Sequence, residues 1–327
     1  MKTLFQIIPI LAFAATITFS SCDKEEPATV AGPNPEDFHQ LREAAIQART
    51  QTATFQAEDG LNFLSEGGAE LNIAPGCLTD GDGVATGTVE LAFVELYGRG
   101  NMLATNKPTM GITATGALAP LVSGGEFFVE VTQNGEALTP GCPMMLRVPS
   151  SLTGGGDPAM TLWEGQIDAD GDIAWEEEKE DADGQGDRVF VEGEGQQAQY
   201  YISFGDFGWT NVDRFFNDPR PKTTLQVAVP DGYDADNSAV YLSYDGEPNT
   251  LAKLDTYDSA TGYFSEHYGQ IPVGLEMHVI FVTEDAGQYR YAIKGVTVAE
   301  NDIYSFTIGE TTTGTEQNLV DAIDALP

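Results

Sequence analysis

Three aspartates occupy alternate positions in the middle of the chain, at Asp168, Asp170 and Asp172. Calcium takes about six to eight oxygen ligands, and alternating acidic residues supply several of them from a short loop. An EF-hand loop that began at Asp168 would need glycine at its sixth position and glutamate at its twelfth, where this sequence has Ile173 and Lys179. The three aspartates therefore predict either a calcium site of another kind or the turn of a β-hairpin.

The chain lacks the sequence motifs of common enzyme classes. It has no G-x-S-x-G elbow, no H-E-x-x-H zinc motif, no P-loop and no C-x-x-C pair. Its three histidines, His39, His267 and His278, have neither metal-pair spacing nor a recognisable triad setting. Carboxylates are so numerous that a hydrolytic pair can be assigned to no particular residues. We expect a protein that is not an enzyme, with a hydrolase of glycans or peptides as the alternative.

The charge of the chain limits its partners. Asp and Glu number 51 against 15 Lys and Arg, for a formal net charge of −36. Such a chain repels nucleic acid and anionic lipid head groups, so neither is an expected partner. Cations, neutral glycans and basic protein surfaces remain compatible with it. The same charge also keeps a protein soluble, and we favour that interpretation.

An apolar leader ends at a cysteine. Lys2 is the only charged residue before Asp23, and the apolar run over residues 4–19 is too short to span a bilayer as a helix. The Phe-Ser-Ser-Cys segment that ends at Cys22 resembles the lipobox of bacterial lipoproteins. The resemblance implies that residues 1–21 are a signal peptide and that Cys22 becomes the lipidated N-terminus. A plain signal peptide with an incidental cysteine is the alternative.

The residues after Cys22 indicate a destination. Residues 23–26, Asp-Lys-Glu-Glu, resemble the export signal that follows the lipidated cysteine in Bacteroidota. This resemblance implies a lipoprotein of the outer membrane that faces the outside of the cell. Each buried acyl methylene contributes roughly 0.8 kcal/mol, so several chains would hold the protein firmly. Residues 22–35 would then form an acidic, proline-rich tether.

The cysteines indicate one disulfide. The chain has three, and a lipid on Cys22 leaves Cys77 and Cys142. In an exported protein an even remainder predicts a disulfide between them. A two-cysteine metal site is the alternative, but no histidine lies near either cysteine in the sequence.

The pattern of elements predicts an all-β protein with short helices near both termini. Apolar residues recur at helical spacing over residues 36–50, and Arg49 stands in the last turn. Beyond residue 50, short β-rich runs alternate with Gly, Asp and Asn turns, and Asn134-Gly135 predicts a tight hairpin. This regular alternation of short strands and turns predicts two antiparallel β-sandwich domains in tandem. Their bounds are 51–208 for the first sandwich, 209–221 for a junction, 222–311 for the second sandwich and 312–327 for a C-terminal helix.

The first sandwich resembles ZU5-type domains. Residues 68–76, from Gly-Ala-Glu to Ala-Pro-Gly, are similar to the glycine-spaced opening of those domains, and residues 121–127 are similar to their turn and strand. ZU5 modules bind and scaffold, so the resemblance implies interaction rather than catalysis. Residues 222–311 suit an Ig-like module in size. Over residues 50–310 the chain resembles uncharacterised surface lipoproteins of Bacteroidota.

Residues 208–215, Gly-Trp-Thr-Asn-Val-Asp-Arg-Phe, resemble a motif of those lipoproteins that has no assigned chemistry. Trp209 and Phe215 either form core at the junction, which we favour, or present rings that stack on a sugar. The sequence thus predicts a lipid-anchored, cell-surface β-sandwich protein with a binding, adhesion or envelope-structural role. Its partner would be a protein or a glycan. A calcium-stabilised adhesin and a hydrolase are the alternatives.

Overall fold

The computed structural model describes residues 32–169, 171–179, 188–266 and 269–327. Within these residues the chain is rich in strands and has three α-helices, which confirms the all-β class. We call residues 32–221 the N-terminal half and residues 222–327 the C-terminal half.

The helices are α1 (Pro35–Arg49), α2 (Arg99–Ala104) and α3 (Glu316–Asp324). The side chain of Asn34 caps α1 by accepting the N–H of Glu36 at 3.3 Å. The side chain of Thr315 caps α3 by accepting the N–H of Asn318 at 3.2 Å. The terminal helices agree with the sequence pattern. The short helix α2 is an addition, because its six residues are too few to show a helical period.

Two sheets build most of the N-terminal half. Its strands are β1 (Gln51–Gln56), β2 (Leu61–Leu64), β3 (Glu70–Ile73), β4 (Leu78–Thr79), β5 (Thr88–Leu96), β6 (Met110–Ile112), β7 (Leu118–Gln133), β8 (Glu136–Ala137), β9 (Thr139–Pro140), β10 (Met144–Pro149), β11 (Thr161–Ile167), β12 (Ile173–Glu177), β13 (Arg188–Glu192), β14 (Gln199–Phe204) and β15 (Gly208–Phe215). One sheet has the order β1-β5-β7-β15-β11-β12-β6, with β8 on β7, and the other has the order β13-β14-β10-β3-β2. Apolar side chains from both sheets form one buried core, as in a sandwich.

The long strand β7 closes the first sheet on itself. It has 16 residues, and it pairs with β15 over most of its length and with β6 at its start. The strands β7-β15-β11-β12-β6 therefore form a closed five-stranded barrel. At the other end of β7, Asn134 and Gly135 both have positive φ and turn the chain into β8, which confirms the predicted hairpin.

Two further sheets build most of the C-terminal half, and β16 and β22 form a small third one. Its strands are β16 (Lys222–Thr223), β17 (Gln226–Ala228), β18 (Ser238–Tyr244), β19 (Leu251–Lys253), β20 (Thr256–Asp258), β21 (Tyr263–Ser265), β22 (Ile271–Pro272), β23 (Glu276–Asp285), β24 (Gln288–Thr297), β25 (Ile303–Ser305) and β26 (Thr312–Gly314). A sheet β20-β21-β17-β25 faces a sheet β19-β18-β23-β24-β26 across a second apolar core.

The two halves share a third apolar core. It combines Trp163, Trp175 and Trp209 of the N-terminal half with Tyr241 and Tyr289 of the C-terminal half, all of them buried. Helices α1, α2 and α3 contribute further buried side chains to it. Residues 209–215, which the sequence analysis assigns to a junction, form most of β15, in the middle of the first sheet. The division into two tandem sandwich domains stays a prediction.

Arg99 ties α3 to the shared core. Its side chain is buried, and it donates to the carbonyl oxygens of Ile323 at 3.2 Å and of Pro327 at 3.0 Å. These bonds join α2 to the last turn of α3 and to Pro327 beyond it. A side chain at Gly100 is excluded here, because a Cβ would lie 2.7 Å from the carbonyl oxygen of Val320. The C-terminal segment is therefore fixed against α2.

Cys77 and Cys142 form a disulfide, as the cysteine count predicts. Their Cα atoms lie 5.4 Å apart, and the bond closes a loop across 65 positions of the chain. In the chain-entropy account such a loop stabilises the fold by about 4 kcal/mol.

Candidate functional site

A groove lies where the β11–β12 hairpin of the N-terminal half meets β19 of the C-terminal half. It consists of two adjoining cavities, of about 370 and about 480 Å³, whose walls both include Asp172, Lys253 and Asp255. We call the pair of cavities the inter-half groove. The smaller cavity has apolar walls that include Met110, Leu118, Ile167 and Ile173. The larger is polar, with His39 and Arg42 of α1 on one side.

An ion pair that joins the two halves lies between the cavities. The ammonium of Lys253 contacts the carboxylate of Asp172. The side-chain amide of Asn106 donates to the same carboxylate at 2.8 Å and accepts the hydroxyl of Tyr241 at 2.6 Å. Arg42 in turn donates to that hydroxyl at 3.4 Å. This chain of contacts crosses from one half to the other three times, so it fixes the shape of the groove.

The pKa values of the pair follow from this arrangement. Burial lowers the pKa of Lys253, the nearby Arg42 guanidinium lowers it further, and Asp172 opposes both, which leaves a pKa of about 8. Burial alone would raise the pKa of Asp172, but Lys253 and Asn106 outweigh it and hold that pKa below its ordinary value. Because Asp168 and Asp255 also face this site, it favours a ligand with a cationic or hydrogen-bond-donating group beside an apolar body.

Asp168 and Asp172, two of the three aspartates of the calcium hypothesis, lie at the β11–β12 hairpin and line this groove. Strands β11 and β12 pair antiparallel, and the carboxylate of Asp168 accepts the N–H of Asp172 at 3.0 Å across the turn. The hairpin interpretation is thereby confirmed. Asp170 lies outside the described residues. Among the residues that the structure does describe, no group of three His, Cys, Asp or Glu is placed to hold a metal ion. Calcium at Asp168, Asp170 and Asp172 remains a prediction.

Trp209 and Phe215 lie on the face of β15 that contributes to the shared core. The ring of Trp209 packs on Phe128, with 5.5 Å between ring centroids, and that of Phe215 packs on Trp163 at 5.1 Å. Trp209 is only 7% exposed, and Phe215 is half-buried. A ring that stacks on a sugar needs a free face, so this placement favours the core role over sugar stacking.

A row of buried polar side chains that the sequence analysis did not single out lies on the same face. Asn211 opposes Glu126 across β15 and β7, and it donates to Asp213 at 2.7 Å and accepts the hydroxyl of Ser123 at 3.0 Å. Neither carboxyl oxygen of Glu126 has a hydrogen-bond partner among the described residues. The ammonium of Lys107, itself buried, lies 5.3 Å from the centroid of the Trp209 ring. One signal in the sequence could have revealed this row. Asn211 and Asp213 stand at alternate positions between Trp209 and Phe215, so the four side chains share one face of a strand.

Burial controls the protonation of this row. It raises the pKa of Glu126 well above the ordinary value; the nearby Asp213 adds to the rise and Lys107 opposes it. Burial likewise raises the pKa of Asp213, which hydrogen bonds from Ser123, Gly124 and Asn211 only partly offset. Both side chains are fully buried. This carboxyl pair therefore has no opening through which a glycan or peptide could reach it.

The chain matches no model of a known protein family and no curated protein. Within the described residues, no helix combines the length and the apolarity needed to cross a membrane. Residues 1–31, with Cys22 and the leader, lie outside the described residues. The ZU5-like and lipoprotein resemblances therefore stay expectations from the sequence.

The raised pKa of Glu126 predicts a pH dependence of stability. In the unfolded chain this carboxyl ionises near pH 4.5, whereas the fold keeps it protonated to higher pH. Above pH 4.5 the folded state then binds more protons than the unfolded state, so the free energy of unfolding falls as pH rises. Glu126→Gln should remove this contribution, so the variant should gain stability relative to wild type between about pH 5 and pH 8.

Urea unfolding of both proteins across this pH range measures the effect. Glu136→Gln, on the exposed strand β8, is the control and should follow wild type at every pH. A constant difference between Glu126→Gln and wild type would contradict the assignment.

The Asp172–Lys253 pair predicts energetic coupling between the halves. Asp172→Asn and Lys253→Met should each lower the free energy of unfolding, and the double variant should lose less than the two losses added together. Because the side chain of Lys253 is 14% exposed and that of Asp172 37% exposed, we expect a coupling of about 1–2 kcal/mol.

A double-mutant cycle by urea unfolding measures this coupling. The matched control is the Arg147–Glu70 pair, whose side chains are 42% and 48% exposed and which should couple by less than about 1 kcal/mol. Additive losses at Asp172 and Lys253 would show that the pair does not join the halves energetically.

Proposed function

We propose that this protein is a lipid-anchored, cell-surface binding protein that is not an enzyme and whose two halves are tandem sandwich domains. The anchor rests on the apolar leader, on the lipobox-like residues that end at Cys22 and on the acidic residues 23–26. The location is the outer membrane, on its outer face. The folded part of the chain would serve in capture, adhesion or envelope structure. Its partner would be a protein or a glycan, and not a nucleic acid.

The observation that carries the binding role is the inter-half groove. Lys253 and Asp172 come from opposite halves and stand at the wall between two cavities, with Asn106 and Tyr241 behind them. Because these charged side chains are already ordered before a ligand binds, binding costs less conformational entropy. The apolar cavity beside them suits the body of the ligand.

A calcium-stabilised adhesin is the second candidate. The observation in its favour is that Asp168, Asp172 and Asp255 all line the smaller cavity of the groove. These three carboxylates do not form a metal-binding group by themselves, so calcium would need further oxygen ligands there. The hydrolase alternative has less support, since the two carboxyls with the most strongly raised pKa values, Glu126 and Asp213, are sealed in the core.

The anchored binding role predicts the behaviour of a Cys22→Ala variant. Without the thiol no acyl chain can attach, so the variant should lose labelling by a palmitate analogue and leave the membrane fraction. Wild type, in contrast, should be labelled and be degraded by protease added outside intact cells. A Cys22→Ala protein that stays with the outer membrane would contradict the anchor.

The binding role is tested on the same material. Wild type cross-linked on intact cells should recover one reproducible protein or glycan partner, and Ala174→Trp, which fills the apolar cavity beside Ile173, should reduce that recovery. Equal recovery with the filled cavity would contradict a role for the groove. Recovery of no partner by wild type would contradict the binding function itself.

A further inference from the structure

The outer face of the sheet β13-β14-β10-β3-β2 carries two rows of side chains that cross all five strands. In an antiparallel sheet, directly opposed residues project from the same face. The register aligns Phe190, Tyr201, Arg147, Glu70 and Leu64 in one row. It aligns Arg188, Ser203, Met145, Asn72 and Asn62 in the other. We call these two rows the platform.

The platform exposes large apolar side chains. Phe190 is 50% exposed, Leu64 66% and Met145 42%, whereas the alternate residues of the same strands, such as Leu146 and Ile202, are buried in the core. A shallow depression of about 370 Å³ lies among Leu64, Met145, Arg147 and Tyr201. Because exposed apolar groups that cluster on a sheet face cost solvation free energy, such a patch commonly marks a contact surface.

The polar side chains of the platform are ordered by contacts with one another. The guanidinium of Arg147 contacts the carboxylate of Glu70 and the hydroxyl of Tyr201. The amide of Asn72 donates to that of Asn62 at 2.6 Å. The guanidinium of Arg188 lies over the ring of Phe190, 4.7 Å from its centroid. Planar donors and acceptors are thus fixed in place between exposed rings and methyl groups.

We propose that the platform binds a neutral glycan chain. A sugar presents apolar C–H faces, which pack on the ring of Tyr201 and on the face of Phe190 opposite Arg188. Its hydroxyls pair with planar amide, guanidinium and carboxylate groups. Both kinds of group alternate here within a surface that spans five strands, roughly 19 Å at the usual strand spacing. That span accommodates several sugar rings.

Charge indicates that the glycan is neutral. The net charge of −36 repels polyanions at a distance, so an acidic polysaccharide would approach poorly. On the platform itself Glu70 pairs with Arg147 and the guanidinium of Arg188 lies over the ring of Phe190, so both cations already have partners. A second copy of the same chain would bring its own −36 against this face, which opposes self-association.

The test uses the full chain as cells produce it, in detergent, and isothermal titration calorimetry with neutral hexasaccharides of gluco, manno, xylo and galacto configuration. Hexagalacturonate is the acidic comparator. At least one neutral hexasaccharide should bind, and Phe190→Ala and Tyr201→Ala should each weaken its binding about tenfold or more. Tyr201→Phe, which keeps the ring, should bind within about threefold of wild type. Ile303→Ala, an exposed apolar residue of the C-terminal half, should bind as wild type does.

Three outcomes overturn the proposal. They are binding of none of the neutral hexasaccharides, binding that Phe190→Ala and Tyr201→Ala leave unchanged, and tight binding of hexagalacturonate alone. If wild type forms a dimer that Phe190→Ala dissolves, the platform is instead an interface between copies of the chain.

This inference rests on the proposed surface-binding function, and the two can fail separately. If Cys22 carries lipid and cells yield a protein partner while no hexasaccharide binds, the glycan assignment fails alone. If a hexasaccharide binds at the platform but the chain carries no lipid, the anchor fails and the platform stands.

Discussion

Trp163, Trp175 and Trp209 lie in the shared core that joins the two halves, and the positions of the groove, of α3 and of the first sheet depend on that core. A buried tryptophan removes about 150–250 Å² from water, which at about 25 cal/mol per Å² amounts to at most roughly 4–6 kcal/mol. The strand that carries Trp209 is central in its sheet, with β7 on one side and β11 on the other. A loss of this core would therefore separate the halves and open the barrel at the same point.

Polar side chains inside this core fix the packing of the two halves, but those without partners lower the stability of the fold. Arg99 satisfies carbonyls at the end of α3, and Asn106 links Tyr241 to Asp172, so these side chains have partners that fix one arrangement of the halves. Glu126 is different, because it is fully buried without a partner among the described residues and so keeps its proton. Fully paired polar groups in a core specify a single packing, whereas unpaired ones lower stability. The structure contains both kinds within one cluster.

Much of the fold follows from local pattern. The turn at Asn134-Gly135 and the disulfide of Cys77 with Cys142 each depend on a few residues, and both were predicted. The barrel was not, because its closure depends on two long-range pairings, of β7 with β15 and of β12 with β6. It also needs an irregularity in the register opposite Val212, where a Cβ at Gly124 would lie 2.9 Å from the Val212 carbonyl oxygen.

The candidate site was likewise only partly predictable from the sequence. Asp172 was visible as a hairpin residue, but its partner Lys253 is 81 positions away and carried no signal.

The central claim is that the two halves form one cooperative unit that fixes the inter-half groove. All three tryptophans lie in the N-terminal half, whereas β23 lies in the C-terminal half. During urea unfolding, tryptophan fluorescence therefore reports on the N-terminal half and the shared core. Hydrogen exchange of the β23 amides reports on the C-terminal half. The account predicts that both signals change at the same urea concentration, in a single transition. Loss of protection in β23 while the tryptophan emission stays native would contradict it.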